Sequence, residues 1–199
     1  MRGGLWTCGL AMAWVVVGVS NACAEGSIIL PRPGQVGVGG QAQFGTMFNS
    51  GDFGDLYDQG PGLGVRVRYR MRFERALGLV FESQQFDARD ASADSLTAPE
   101  RLTALTSGVE VYQMFGTQGR TVRYLNAGVG LAQFTIHNFQ DETEFPGDGL
   151  YISFGGGLER FVYRSTAIDL EVKYHTLFHE GEVNHALRVS AGVIFYVSY

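Results

Sequence analysis

Two groups of residues in this 199-residue chain bring enough charge together to do chemistry. The first is the run Gly62 to Phe73, where Arg66, Arg68, Arg70 and Arg72 take every second position. Guanidiniums arranged in this way bind phosphates or carboxylates, or pair with buried acids. The second is His175, His179, Glu180, Glu182 and His185, the densest titratable set in the chain. It offers a general base, or nitrogen and oxygen ligands for a cation, but its spacing matches no zinc motif on a rigid element. Two acidic stretches, Asp52, Asp55 and Asp58, then Asp141, Glu142, Glu144 and Asp148, supply the hard oxygens that Ca²⁺ or Mg²⁺ prefer. Solvated surface loops explain them more simply, and neither a metal site nor a cofactor is expected.

The elements that must position these groups follow from the arginine run. Leu63, Val65, Val67, Tyr69, Met71 and Phe73 fill the parity opposite the arginines. A strand sends alternate side chains to opposite faces, so the segment has one apolar face and one carrying four guanidiniums; a helix would scatter both sets around its circumference. The period-two pattern recurs at Val36 to Phe48, Leu77 to Gln84, Leu102 to Phe115, Thr121 to Ile136, Leu150 to Phe161, Ala167 to Phe178 and His185 to Tyr199. Eight strands result and no helix is needed. Long polar breaks follow the first, third and fifth strands, and a shorter one, His179 to Asn184, follows the seventh; tight turns follow the second, fourth and sixth. In an up-and-down barrel, connections of one parity gather at one end. The pattern predicts an all-β, eight-stranded antiparallel up-and-down barrel over residues 36–199.

Residues 1–24 read differently. Arg2 begins a short positive region, Leu5 to Val19 is mostly apolar, and Ala22, Cys23 and Ala24 are small residues at a cleavage position, the pattern of a signal peptide removed after Ala24. Residues 25–35 then form an N-terminal periplasmic segment. Both cysteines, Cys8 and Cys23, leave with the signal, so the mature chain has no disulfide or thiolate chemistry. Lipidation of Cys23 is disfavoured by Ser20, which stands where an apolar residue is usual. The net charge is −5, becoming −6 without Arg2, and Lys173 is the single lysine. Nothing resembles a basic surface that would bind nucleic acid, and no apolar run in the mature chain makes a membrane helix.

Which strand face meets lipid is decided by the polar parity. It is rich in glycine and carries Arg66, Arg68, Arg70, Arg72, Lys173 and Arg188 against Glu82, Glu110, Glu159, Asp169 and Glu171, so the signs nearly balance. An arginine facing lipid costs about 2–4 kcal/mol at the bilayer midplane. Turned inward, the same groups form an ion-pair network that holds the barrel together, the condition under which buried charge is tolerated. A soluble barrel with an apolar interior would instead show a polar outer face rich in Lys, Glu and Thr. Aromatic girdles at the two membrane interfaces are expected from Phe73, Phe115, Phe161 and Tyr199 at the short-turn end, and from Phe48, Phe81, Phe134, Tyr151 and Tyr174 towards the long-loop end. Phe86, Leu96, Phe139 and Phe145 are apolar residues in polar loops, suited to contacting a partner or packing the loops together. Eight strands enclose a space that side chains fill, so a permanently open pore is not expected.

With its signal peptide, eight strands, loop asymmetry and C-terminal stretch Ser190 to Val197, the chain resembles the small eight-stranded outer-membrane barrels of the OmpA and OmpX type. The resemblance implies residence in the outer membrane of a Gram-negative cell as a monomer, surrounded by outer-membrane lipid and lipopolysaccharide. It also implies that the outer-membrane insertion machinery reads Ser190, Gly192, Phe195, Val197 and Tyr199 as an assembly signal; Tyr199 stands where phenylalanine is usual. Some such barrels modify lipid A, and the deacylase kind carries a strand histidine with a serine two residues on. Here the residues are His175, Thr176 and Leu177, so the nucleophile of a triad is missing where that resemblance would place it. His175 lies on the lumen parity, where Glu171 or Glu110 could partner it. The expectation is a non-enzymatic barrel with a structural or surface-interaction role. A lipid-A-modifying enzyme and a soluble periplasmic ligand-binding barrel are the alternatives.

Overall fold

A computed structural model describes residues 33–48, 56–88, 99–138, 143–179 and 181–197. The expected signal peptide, most of the segment after it, and Asp52, Asp55, Leu96, Phe139, Asp141, Glu142, Glu180 and Tyr199 lie outside the described residues. Eight strands run in chain order: β1 Val36–Phe48, β2 Gln59–Arg72, β3 Arg75–Asp87, β4 Pro99–Phe115, β5 Thr121–Asn138, β6 Thr143–Phe161, β7 Thr166–His179 and β8 Glu182–Val197. Each pairs antiparallel with the next, and β1 pairs with β8 to close the sheet into a barrel. Closure removes the unpaired edges that an open sheet would present.

The apolar parity faces outward. Leu63, Val65, Phe81, Val111, Val129, Ile152, Phe154 and Phe195 are all more than half exposed, and together they ring the barrel with hydrocarbon. The lumen parity is buried almost throughout. Strands of 13 to 19 residues exceed the roughly 9–11 that a tilted strand needs to cross a bilayer, so the longest hairpin, β5–β6, extends past the apolar belt.

This extension corrects the expected break over 137–149. β5 continues to Asn138 and β6 begins at Thr143, with Ile136 pairing Glu144 and a register shift between Phe134 and Ile136. Asp148, expected in a loop, is an exposed strand residue. The polar break after the seventh strand likewise becomes a tight hairpin, His179 opposite Glu182 with Gly181 at φ 88°. In both places polar strand ends look like loop in sequence, because beyond the apolar belt the outward face has no reason to be hydrophobic.

Candidate functional site: a charged lumen between two apolar plugs

The inward face of β2 presents Arg66, Arg68 and Arg70, all essentially inaccessible to solvent. They reach across the barrel to β6 and β7, which their own strand does not neighbour in the sheet. Arg68 and Arg70 share one carboxylate oxygen of Glu159, at 2.9 and 3.2 Å. Arg68 and Arg66 share Asp169, each at 3.5 Å, and Arg66 also bonds Glu171. Higher in the lumen Lys173 sits among Glu110 at 2.6 Å, Glu82 at 3.1 Å and Glu171 at 3.5 Å, while Arg188 meets Glu82 at 2.9 Å. Five cations thus face five carboxylates in one chain of contacts from Arg70 to Arg188.

Neutral groups extend the network, while several of its buried atoms, among them Nε of Arg66, Arg68, Arg70 and Arg188, make no hydrogen bond. Tyr124 donates to Asp169 at 2.6 Å, Tyr112 donates to Glu110, and Asn126 donates to Glu171 at 2.8 Å. Gln41 accepts from Arg66 at 2.8 Å and donates to Glu82 at 2.9 Å, linking two charge groups. The guanidinium of Arg68 lies over the Tyr112 ring at 4.2 Å and near the Tyr124 ring at 4.9 Å, distances within which a cation is attracted to a π face. The lumen glycines make room for these side chains. A Cβ at Gly78 would stand 2.8 Å from the Tyr112 ring, and one at Gly157 would stand 2.5 Å from the Tyr124 hydroxyl.

Apolar clusters close the lumen above and below the charges. Towards the long-loop end Met47, Tyr57, Phe86, Leu102, Phe134, Tyr151 and Leu177 pack together; at the short-turn end Tyr112, Met114, Val122, Phe161, Ile194 and Tyr196 do so. His175 is buried at the upper boundary of the charges, its Nε2 3.9 Å from Glu82 and its ring 5.4 Å from that of Tyr151. Glu82, and neither Glu171 nor Glu110, is the carboxylate that comes within 4 Å of the ring, at a distance too long for a hydrogen bond. His179 is buried and stacks on Phe134 at 5.2 Å, and His185 stacks on Tyr174 at 5.5 Å. Among the described residues no three His, Cys, Asp or Glu side chains gather where they could hold a metal.

Residues 14–195 match the family described as the outer membrane protein beta-barrel domain. The chain belongs to this family. The fold is similar to that of neisserial surface protein A, with a TM-score of 0.63 and 16% identity over 80% of this chain and 96% of that one. It is also similar to OprG of Pseudomonas aeruginosa, with a TM-score of 0.59 and 14% identity over 87% and 100% of the two chains. The N-terminal barrel domain of OprF from the same organism gives 0.51 and 15% over 81% and 99%. At such identities the likeness is one of fold alone. No curated protein matches the sequence.

Within this outer-membrane barrel, ten of the eleven side chains expected in the lumen network lie there. Arg72 does not. The β2–β3 register shifts between Arg70 and Arg72, and Arg72 ends the strand beside the turn, exposed. Losing the alternation at a strand end takes its side chain out of the lumen and leaves the cations and carboxylates equal in number. Among the assembly-signal positions, Ser190 and Gly192 face inward, Phe195 and Val197 face outward, and Tyr199 lies outside the described residues.

The aromatic girdle also needs correction. Phe48, Phe73, Phe81, Phe115 and Tyr174 are exposed on the outer face, but Phe134, Tyr151 and Phe161 are lumen residues of the two apolar plugs. Phe86, expected in a loop, is a strand residue buried in the upper plug. The signal that could have placed them is parity. Phe134 is in step with Tyr124 and Asn126, Tyr151 and Phe161 with Ser153 and Glu159, and Phe86 with Glu82 and Gln84.

Proposed function

We propose that this protein is a non-enzymatic outer-membrane barrel with a structural or surface-interaction role, kept shut by its own lumen and presenting acidic loops and hairpin ends outside the cell. The observation that carries the reading is the neutral five-against-five network sealed between two apolar plugs. An interior so filled leaves no continuous aqueous path, and its charges are spent on one another. The purified barrel in a planar lipid bilayer is expected to give no stable conductance steps; regular single-channel openings from the wild-type protein would overturn the closed-lumen reading.

The non-enzymatic part rests on His175. Its ring faces the sealed interior, whereas a lipid substrate approaches from the apolar outer face, and Leu177, where the deacylase resemblance wants serine, belongs to the upper plug. Lipid A mass spectra from cells with and without the gene are expected to coincide. An altered acyl pattern that His175→Ala removes would show the protein to be an enzyme. The proposed setting includes export by the N-terminal signal, recognition of the C-terminal strand by the insertion machinery, and a monomer surrounded by lipid and lipopolysaccharide. Recovery of the mature chain from periplasmic fluid would refute this setting and favour the soluble ligand-binding barrel.

A further inference from the structure

The outer wall carries one feature that neither the lumen nor the loops require. Near the short-turn end, an open groove of about 360 Å³ crosses the outer face from Met71 of β2 and Arg75 of β3 to Phe154 of β6. Val111, Ala127 and Phe154 lie side by side across β4, β5 and β6, so small Ala127 is a low point between two larger side chains. One row nearer the turns, Gln113, Leu125 and Gly156 are neighbours. A Cβ on Gly156 would stand 3.0 Å from Leu125 Cδ2, so Leu125 leans over that glycine.

The rim is basic where the floor is apolar. Arg75 lines the groove and is the register partner of both Arg72 and Gln113. Arg72, the guanidinium that the lumen does not take, and Arg75 are both exposed; Glu74 lies between them in the turn, and Arg123 is exposed on β5 beyond Leu125. Among the described residues, three arginines against one carboxylate therefore stand at this end of the face that meets hydrocarbon, Arg75 on the trough itself and Arg72 and Arg123 beside it. A peptide would have to displace lipid there, whereas an anionic amphiphile matches both parts.

We propose that this groove binds one anionic phospholipid of the periplasmic leaflet, with its phosphate on Arg72 and Arg75 and an acyl chain lying over Ala127. The proposal rests on the outer-membrane reading, which turns the short connections towards the periplasm. An arginine near an anionic headgroup contributes about 1 kcal/mol, so each of the two is expected to favour the lipid about fivefold.

The test uses the full chain, reconstituted in nanodiscs with equal parts phosphatidylglycerol and phosphatidylcholine, and native mass spectrometry of the lipids that stay bound on release. Wild type is expected to retain phosphatidylglycerol preferentially. R72Q/R75Q lowers that preference by more than tenfold, whereas R164Q, an exposed arginine of the β6–β7 turn, leaves it unchanged. A127L, which fills the trough without touching charge, loses the bound lipid. No preference in the wild type, or equal losses in R72Q/R75Q and R164Q, overturns the groove while leaving the barrel reading intact. Heat-modifiable migration is followed in the same samples, and a wild-type chain that fails to insert overturns both.

Discussion

The middle of the lumen and its two ends are walled by the same strands yet filled on opposite principles. In the middle, long cations reach from β2, β7 and β8 to carboxylates on β3, β4, β6 and β7, and glycines line the wall where rings and guanidiniums need room. At the ends, Leu, Met, Phe and Tyr fill the bore. The two solutions depend on each other. Ion pairs in water contribute little, and buried ones are strong only where water is excluded and every partner is present. The plugs provide the exclusion, and the alternation of sign within the network gives each charge an opposite one, though not a hydrogen bond for every buried atom. The difference teaches that a charged interior is specific about its members, whereas an apolar plug is specific mainly about volume.

The largest test of that asymmetry is Glu82→Ala. Glu82 takes Lys173 and Arg188 on its two oxygens, and Lys173 keeps Glu110 and Glu171 when it goes, but Arg188 is left with no carboxylate contact among the described residues. Removing one partner of a buried pair costs about 3–5 kcal/mol, so chemical unfolding in lipid vesicles is expected to show a loss in that range. Glu159→Gln, which takes the carboxylate from Arg68 and Arg70 together, is expected to follow it closely. A loss below about 1 kcal/mol in both would mean that solvent reaches the middle of the lumen and screens it.

In the upper plug, Leu102→Ala is expected to cost about 3 kcal/mol, inside the range for deleting a buried leucine side chain, with no dependence on salt. The double replacement Glu82→Leu with Arg188→Met then asks whether the middle can be converted to the principle of the ends. Apolar residues of similar volume replace buried ion pairs at little cost, so the double variant is expected to be more stable than Glu82→Ala alone. If it is instead worse than either single change, Glu82 is holding more than its cations, with Gln41 and Thr106 the groups to examine next.

What the chain reveals before folding divides along the same line. Alternation is a local property, so Arg66, Arg68, Arg70, Glu82, Lys173 and their partners can be assigned to one face by counting, and charge balance says that the face is enclosed. Which cation meets which carboxylate is not local. Arg68 finds Glu159 across the bore, a pairing set by strand tilt and register rather than by any spacing in sequence. The plugs were legible too, but only to strict counting. Phe134, Tyr151 and Phe161 keep lumen parity although their chemistry suits a membrane interface equally well. Strand ends were the least legible, because polar residues beyond the apolar belt, such as Asp148, look the same in a loop and in an extended hairpin.

Arg72 gives the smallest and sharpest test, because it differs from Arg70 by two residues of one strand. Counting alone puts both in the lumen; the register shift between them leaves Arg70 against Glu159 and sends Arg72 to the surface. An exposed side chain away from packing changes stability by no more than about 0.5 kcal/mol, so Arg72→Ala is expected to unfold with the wild type. Arg70→Ala is expected to be destabilised, since Tyr196 and Phe161 lose the guanidinium packed against them and Glu159 loses one of its two cations among the described residues. Equal losses from the two substitutions would return Arg72 to the lumen and break the match between cations and carboxylates. An unchanged Arg72→Ala beside a weakened Arg70→Ala would show that the network ends where the alternation does, and that the last guanidinium of the run is free of it at the short-turn end.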